Sequence, residues 1–256
     1  MNLSACIEDK YMFGEIEGIP ARIRAAKAAG LGTVEFHLWL GRGIDEIEQT
    51  LHETQVNLAG LVVNPRCGIA DATKRAFFLE AMGNTIAMAA RLRARGAVIA
   101  GGPVVPGASD SAQHAAMVES LKRIAPAAEK AGVQVWLEPL NTRVDHPGMY
   151  MTSALEGLDI IEEVNSPGVR LLYDVYHSSV MGESPREVLK RAPLIGHIQV
   201  ADTNGRHEPG SGTIDWADFM QALKASAYRG DIGMEYRPSA DTLASIAQTR
   251  HVLGVN

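Results

Sequence analysis

Eight short β-rich runs alternate with stretches of helical period along the 256 residues, and this alternation restricts the chain to very few folds. The runs are NLSACI (2–7), TVEFHL (33–38), LAGLVVN (58–64), AVIAGG (97–102), QVWLEPL (134–140), VRLLYDVY (169–176), LIGHIQV (194–200) and DIGMEY (231–236). Between them, IPARIRAAKAAG ends in a helix-stopping Gly30, and the helical stretch from Asp71 ends in Gly96. A third stretch opens on Ser109 and Asp110 and stops at Gly132, with Pro126 expected to kink it. TSALEGLDIIEEV and TIDWADFMQALKAS each begin with a capping Thr or Asp. Strand followed by helix, repeated, predicts parallel strands joined by right-handed crossovers. Eight such units in about 250 residues make a single (β/α)8 TIM barrel, an α/β fold spanning residues 1–256. The competing open, doubly wound sheet stops at about five or six strands.

Composition narrows the function. The net charge of −6, from 30 acidic and 24 basic residues, argues against a polyanion binder and leaves room for a small anionic substrate held by local arginines. Cys6 and Cys67 are the two cysteines and form no CxxC motif, so a reducing, cytoplasmic setting is expected. The first residues carry no secretory pattern, and no apolar run is long enough to span a membrane.

In a barrel of this kind the C-terminal ends of the strands line the active site. Four consecutive strands carry an oxygen donor within their last few residues: Glu138 in VWLEPL, Asp174 in LLYDVY, Gln199 in GHIQV and Glu235 in GMEY. A carboxylate amid apolar β-formers is rare unless paired or bound to a metal, and clustered carboxylates repel unless a cation lies among them. Carboxylate and amide oxygens suit a hard divalent cation, Mg²⁺ or Mn²⁺. Glu35 fits the same template and is equally compatible with a structural role, and His197 reads as a hydrogen-bonded core histidine. Basic groups follow the same strands: His177 three residues past Asp174, Arg206 and His207 in the next loop, and Arg237 two past Glu235. These are positioned to meet an anionic or hydroxylated substrate, although Arg206 could instead pair with Glu208 at the surface. Arg66, after the third strand, is a further candidate, and GSGT (210–213) is a candidate phosphate cradle ahead of a helix.

The segments LEPLNTRVDHPGMYM, LLYDVYHSSVMGE, GHIQVADTNGRHEPGSGTIDW and GMEYRP resemble the hydroxypyruvate isomerase family of xylose-isomerase-like barrels. The resemblance covers residues 134–238; the N-terminal half matches in architecture only. It implies a divalent metal held by Glu138, Asp174, Gln199 and Glu235, with Glu138 and Glu235 also serving as the acid/base pair. It further implies that His177 and Arg206 contact the substrate. Gln199, where the ketose 3-epimerases have His, favours the hydroxypyruvate isomerase branch. Arg237, where Lys is frequent, and Ser179, where a longer polar residue is common, depart from the pattern near the expected substrate. The implied chemistry interconverts a small 2-hydroxy carbonyl compound, a hydroxy-keto acid or short sugar, with no nucleic-acid or membrane partner. Homo-oligomers are common on such scaffolds. A ketose 3-epimerase or 2-oxo-tetronate isomerase is the alternative on the same scaffold, with a metal-dependent phosphoesterase, a retaining glycosidase and a non-catalytic sensor further off.

Overall fold

The structure is a computed structural model that describes residues 1–255. Its strands are β1 (Leu3–Cys6), β2 (Thr33–Glu35), β3 (Asn57–Leu58), β4 (Gly60–Val62), β5 (Gly96–Ala100), β6 (Gln134–Glu138), β7 (Val169–Asp174), β8 (Ile195–Val200) and β9 (Ile232–Met234). All pair in parallel, in the order β3-β2-β1-β9-β8-β7-β6-β5-β4. The two ends of that order are consecutive in the chain, parted only by Ala59. Ala59 donates its N–H to the Val34 carbonyl at 2.7 Å, and its own carbonyl accepts from Gly96 at 3.0 Å. The third β-rich run is thus one strand that passes from its β2 neighbour to its β5 neighbour, and the ring closes as an eight-unit (β/α)8 TIM barrel.

Around the ring lie α1 (Ile19–Ala28), α2 (Ile44–Thr54), α3 (Arg75–Arg91), α4 (Asp110–Ala131), α5 (Ala154–Val164), the short α6 (Val175–Met181) and α7 (Pro185–Leu189), α8 (Trp216–Ala225) and α9 (Thr242–Leu253). Side-chain caps start several of them, relieving backbone N–H groups that have no partner within the helix. Ser109 caps α4, Ser153 caps α5, Asp215 caps α8 and Asp241 caps α9. α4 runs through Pro126 to Ala131 and stops at Gly132, as its sequence predicts, with the glycine at φ 67°. One local expectation is corrected. Gly96 is no helix stop, because α3 ends at Arg91 and Gly96 opens β5.

The reason for a glycine at 96 is Trp136, whose indole lies across the barrel interior with Val62, Val98 and Leu172. A Cβ at position 96 would fall inside the indole, and one at Gly60 would come within 2.9 Å of it. Trp136 stacks on the His197 ring at 5.0 Å between centroids, so the two together fill the barrel beneath the strand ends. The main core lies outside the ring, between strands and helices. Both cysteines are free thiols. No described helix is long and apolar enough to cross a membrane.

Candidate active site

At the C-terminal end of the barrel a cavity of about 280 Å³ is lined by Glu138, Gln199 and Glu235 from the later strands, and by His37, Arg66 and Tyr11 from the earlier ones. Asp174 lies directly behind this wall, 2 % exposed. The strand that carries it is shorter than its apolar sequence predicts. β7 stops at Asp174 because the carboxylate turns to cap α6, Oδ1 accepting from the backbone N–H groups of Tyr176 at 2.8 Å and His177 at 3.4 Å. An Asp side chain that satisfies helix-start donors outcompetes the β preference of Val175 and Tyr176. His177 therefore sits in the first turn of a helix, buried, rather than in a loop past a strand.

His177 is held in one tautomer. The Asn141 Oδ1 accepts from Val144 N at 3.0 Å and Asp145 N at 3.1 Å, which directs its Nδ2 to Asp145 and to His177 Nδ1 at 2.6 Å. Since Nδ1 accepts, the proton of the neutral ring is on Nε2, which faces Asp174 Oδ2 at 3.5 Å and Glu138 Oε1 at 4.0 Å. Burial, with the Arg206 guanidinium second, pushes the His177 pKa well below its ordinary value, so the ring is neutral at physiological pH.

Arg206 does not stay at the surface with Glu208. Its backbone adopts φ 56°, and the side chain turns inward, where Nη2 donates to Asp174 Oδ2 at 2.9 Å and also pairs with Glu235 Oε2. The guanidinium lies between the rings of Tyr176 and Tyr11, at 5.1 and 5.8 Å. Glu208 instead accepts from Ser239 and Ser245. Arg237 is exposed and absent from the cavity lining; its contribution is backbone, donating N–H to the Arg206 carbonyl at 3.0 Å. The GSGT loop is no phosphate cradle. Three of its amides are already engaged, Gly210 N by the buried Asp202, Ser211 N by the Glu208 carbonyl and Thr213 N by Thr203 Oγ1; Asp202 also accepts from Ile214 N, Thr203 N and the Trp216 indole.

The two glutamates have opposite surroundings. Glu235 has both oxygens engaged, Oε1 by His37 Nε2 at 2.8 Å and Oε2 by Arg206. Burial opposes its ionisation, yet Arg206 and His37 outweigh it and hold the carboxyl at about 2. Glu138 forms no hydrogen bond or ion pair with a lysine or arginine among the described residues; the neutral His177 ring lies 4.0 Å away. Burial, reinforced by the charges of Glu235 and Asp174, pushes its pKa well up. Gln199 donates Nε2 to Glu35 Oε2 at 3.2 Å, which leaves its Oε1 buried and without a partner. Glu35 thus acts from below, as an orienting group, and His197 lies 3.3 Å from it.

These residues fit a hard divalent cation. Glu138, Asp174 and Glu235 supply carboxylate oxygens against the single charge of Arg206, and the orphaned Gln199 Oε1 is an amide oxygen lacking a donor. Sequence reasoning missed His37, Tyr11, Cys6 and Asn141. His37 stands in the TVEFHL run beside Glu35, and the one available signal was a polar residue at a strand end.

The proteins that the chain resembles make it an isomerase-type enzyme. A family described as the xylose isomerase-like TIM barrel matches residues 23–252, and the chain belongs to it. Within that family it is a member of the hydroxypyruvate isomerase group: the hydroxypyruvate isomerase of Escherichia coli (strain K12) is 30% identical over 243 residues, covering 92% of this chain and 93% of that protein. The 2-oxo-tetronate isomerase of Cupriavidus necator is 34% identical over 153 residues, 59% of this chain and 58% of its own length. Among solved structures, a Brucella melitensis protein named AP endonuclease, family 2, superposes with a TM-score of 0.88 at 27% identity, covering 96% of this chain and 97% of that one.

Proposed function

We propose that the chain interconverts a small 2-hydroxy carbonyl acid of the hydroxypyruvate/tartronate semialdehyde type by proton transfer between adjacent carbons through an enediolate. The observation that carries this reading is the pair of glutamates on one cavity with opposite surroundings, Glu235 doubly hydrogen-bonded and Glu138 without a cationic partner. Two carboxyl groups whose environments separate them divide naturally into base and acid. Glu235, held ionised, takes the proton from the carbon next to the carbonyl; Glu138, the more readily protonated of the two, returns one to the neighbouring carbon, and the hydroxyl proton passes to the former carbonyl oxygen. A divalent cation, Mg²⁺ or Mn²⁺, held by Glu138, Asp174, Gln199 and Glu235 would supply stabilisation of the oxygen charge that develops. His177 adds a neutral N–H donor, its tautomer fixed by Asn141. Arg66 lines the cavity, exposed, and takes part in no hydrogen bond or ion pair among the described residues, so it is the group free to meet the substrate carboxylate. Arg206, engaged with Asp174 and Glu235, orders the carboxylates instead.

The similarity to 2-oxo-tetronate isomerase makes a four-carbon acid the second reading, and a substrate panel separates the two. The protein is proposed to work in the cytoplasm as one domain, with no nucleic-acid partner in view of the net charge of −6. The test is isomerisation of hydroxypyruvate by purified protein, with and without EDTA, in wild type and Glu235→Gln. Turnover that EDTA and Glu235→Gln each abolish is expected. No turnover of any small 2-hydroxy carbonyl acid under any metal ends the isomerase reading, and turnover indifferent to EDTA ends the metal assignment.

A further inference from the structure

Behind the Glu235 side of the cavity lies a second group of ligand atoms, two of which, Cys6 Sγ and His37 Nε2, have no part in the proposed reaction. Cys6 Sγ is 3.4 Å from His37 Nε2, and the same nitrogen is 2.8 Å from Glu235 Oε1. All three atoms lie within 4.8 Å of one another. β1 delivers Cys6 at its last residue, His37 follows β2 by two residues, and Glu235 follows β9 by one. These three strands are neighbours in the ring, in the order β2-β1-β9, so the convergence is a property of the closed barrel.

We propose that Cys6, His37 and Glu235 form a second cation site, selective for thiophilic divalent ions such as Zn²⁺, which shares Glu235 with the oxygen-ligated site. Its donor set is sulfur, imidazole nitrogen and one carboxylate oxygen, the combination that soft and borderline metals prefer over Mg²⁺ or Mn²⁺. With zinc bond lengths of about 2.3 Å to sulfur and about 2.0–2.1 Å to nitrogen and oxygen, a tetrahedral site has S–N and N–O edges of roughly 3.6 and 3.3 Å. The Cys6–His37 separation is already close to that edge, and the His37–Glu235 pair has only to open slightly from its hydrogen bond. Three protein ligands leave a fourth position facing the cavity that His37 and Glu235 line.

Glu235 offers Oε1 to this site while Oε2 stays with Arg206, so an ion here leaves the Arg206–Asp174 pair intact. An ion on Oε1 does occupy the oxygen that His37 otherwise holds. On the functional reading above, zinc at this site competes with the oxygen-ligated ion for Glu235, so thiophilic ions inhibit where hard ions support turnover.

Cobalt(II) titration of the metal-free protein tests the site without turnover, because a cobalt–thiolate bond gives a near-ultraviolet charge-transfer band that oxygen ligands do not. The band is expected in wild type, retained in Cys67→Ser and Asp174→Asn, displaced by zinc, and lost in Cys6→Ser; His37→Gln should weaken cobalt binding at least tenfold. Circular dichroism establishes that each variant is folded, and Cys6→Ala repeats the test if Cys6→Ser is not. A wild-type protein without the band, or a band that survives Cys6→Ser or disappears in Cys67→Ser, overturns the proposal. Since the readout is spectral, its failure is distinct from failure to isomerise hydroxypyruvate.

Discussion

Between β6 and β9 the carboxylates Glu138, Asp174 and Glu235 stand on strand ends or directly behind them, each flanked by apolar residues. From β1 and β2, by contrast, come Cys6, Glu35 and His37, which reach the same site as partners of residues on the other half. His37 holds Glu235, and Glu35 fixes the amide of Gln199. The later strands supply groups able to do chemistry; the earlier strands decide how those groups are turned and protonated. Conserving the later half while altering the earlier one should therefore change how the enzyme works before it changes whether it folds.

Three substitutions sharpen that contrast. The largest effect is expected at Asp174, which caps α6 and partners Arg206 at once. Asp174→Ala should lower kcat/KM on hydroxypyruvate by about 100-fold or more and cost about 3 kcal/mol in urea unfolding, since it removes the α6 cap and one of the two carboxylates that pair a buried guanidinium. A variant with near wild-type turnover would move the chemistry away from the later strands. Next in size is Gly233→Ala. A Cβ there would lie 2.6 Å from Glu35 Oε1 and 2.8 Å from His197 Nε2, so about 1–3 kcal/mol of stability should be lost. Gln199 should also be turned, visible as weaker binding of the proposed divalent cation. Unchanged stability and metal affinity would show that the Glu35–His197 layer does not set the ligand above it.

The smallest effect concerns Asp202, which folds the loop that brings Arg206 inward. Burial works against its ionisation, but the Trp216 indole and the amides of Thr203, Ile214 and Gly210 outweigh this and hold its pKa below the usual carboxylate range. A pKa lowered on folding contributes stability that is present above the unfolded value of about 3.9 and is lost as pH falls through the folded value. Asp202→Asn should therefore cost about 1 kcal/mol near neutrality, with the difference from wild type shrinking below about pH 4. A difference that is constant from pH 7 to pH 3 would assign the loop's stability to something other than this carboxylate.

Much of this was readable from the sequence because the signals are local. A strand's apolar run makes Asp174 conspicuous, and eight alternations of strand and helix count out the barrel. In the N-terminal half, Glu35 is compatible from sequence with either a ligand or a structural role. Its place beneath Gln199 resolves that ambiguity in favour of orientation. Where reading failed, the deciding interaction was remote. The phosphate reading of GSGT lost to acceptors elsewhere in the loop: Asp202, eight residues before Gly210, takes that amide, and Thr203, ten before Thr213, takes another. Arg237, close in sequence to Glu235, faces outward, whereas Arg66 lines the cavity from the opposite half.

By itself, the sequence determined the strand and helix periods, the barrel they imply, and the four oxygen-bearing strand ends, because side-chain alternation and capping act over a few residues. Only the tertiary structure decided that Arg206 turns inward, that Asn141 sets the tautomer of His177, and that His37 meets Glu235 across 198 positions of chain. The last of these contacts exists because ring closure sets β1 between β2 and β9, the first two because parallel neighbours bring distant loops to one barrel end, and no local pattern encodes which side chains a closed barrel brings face to face.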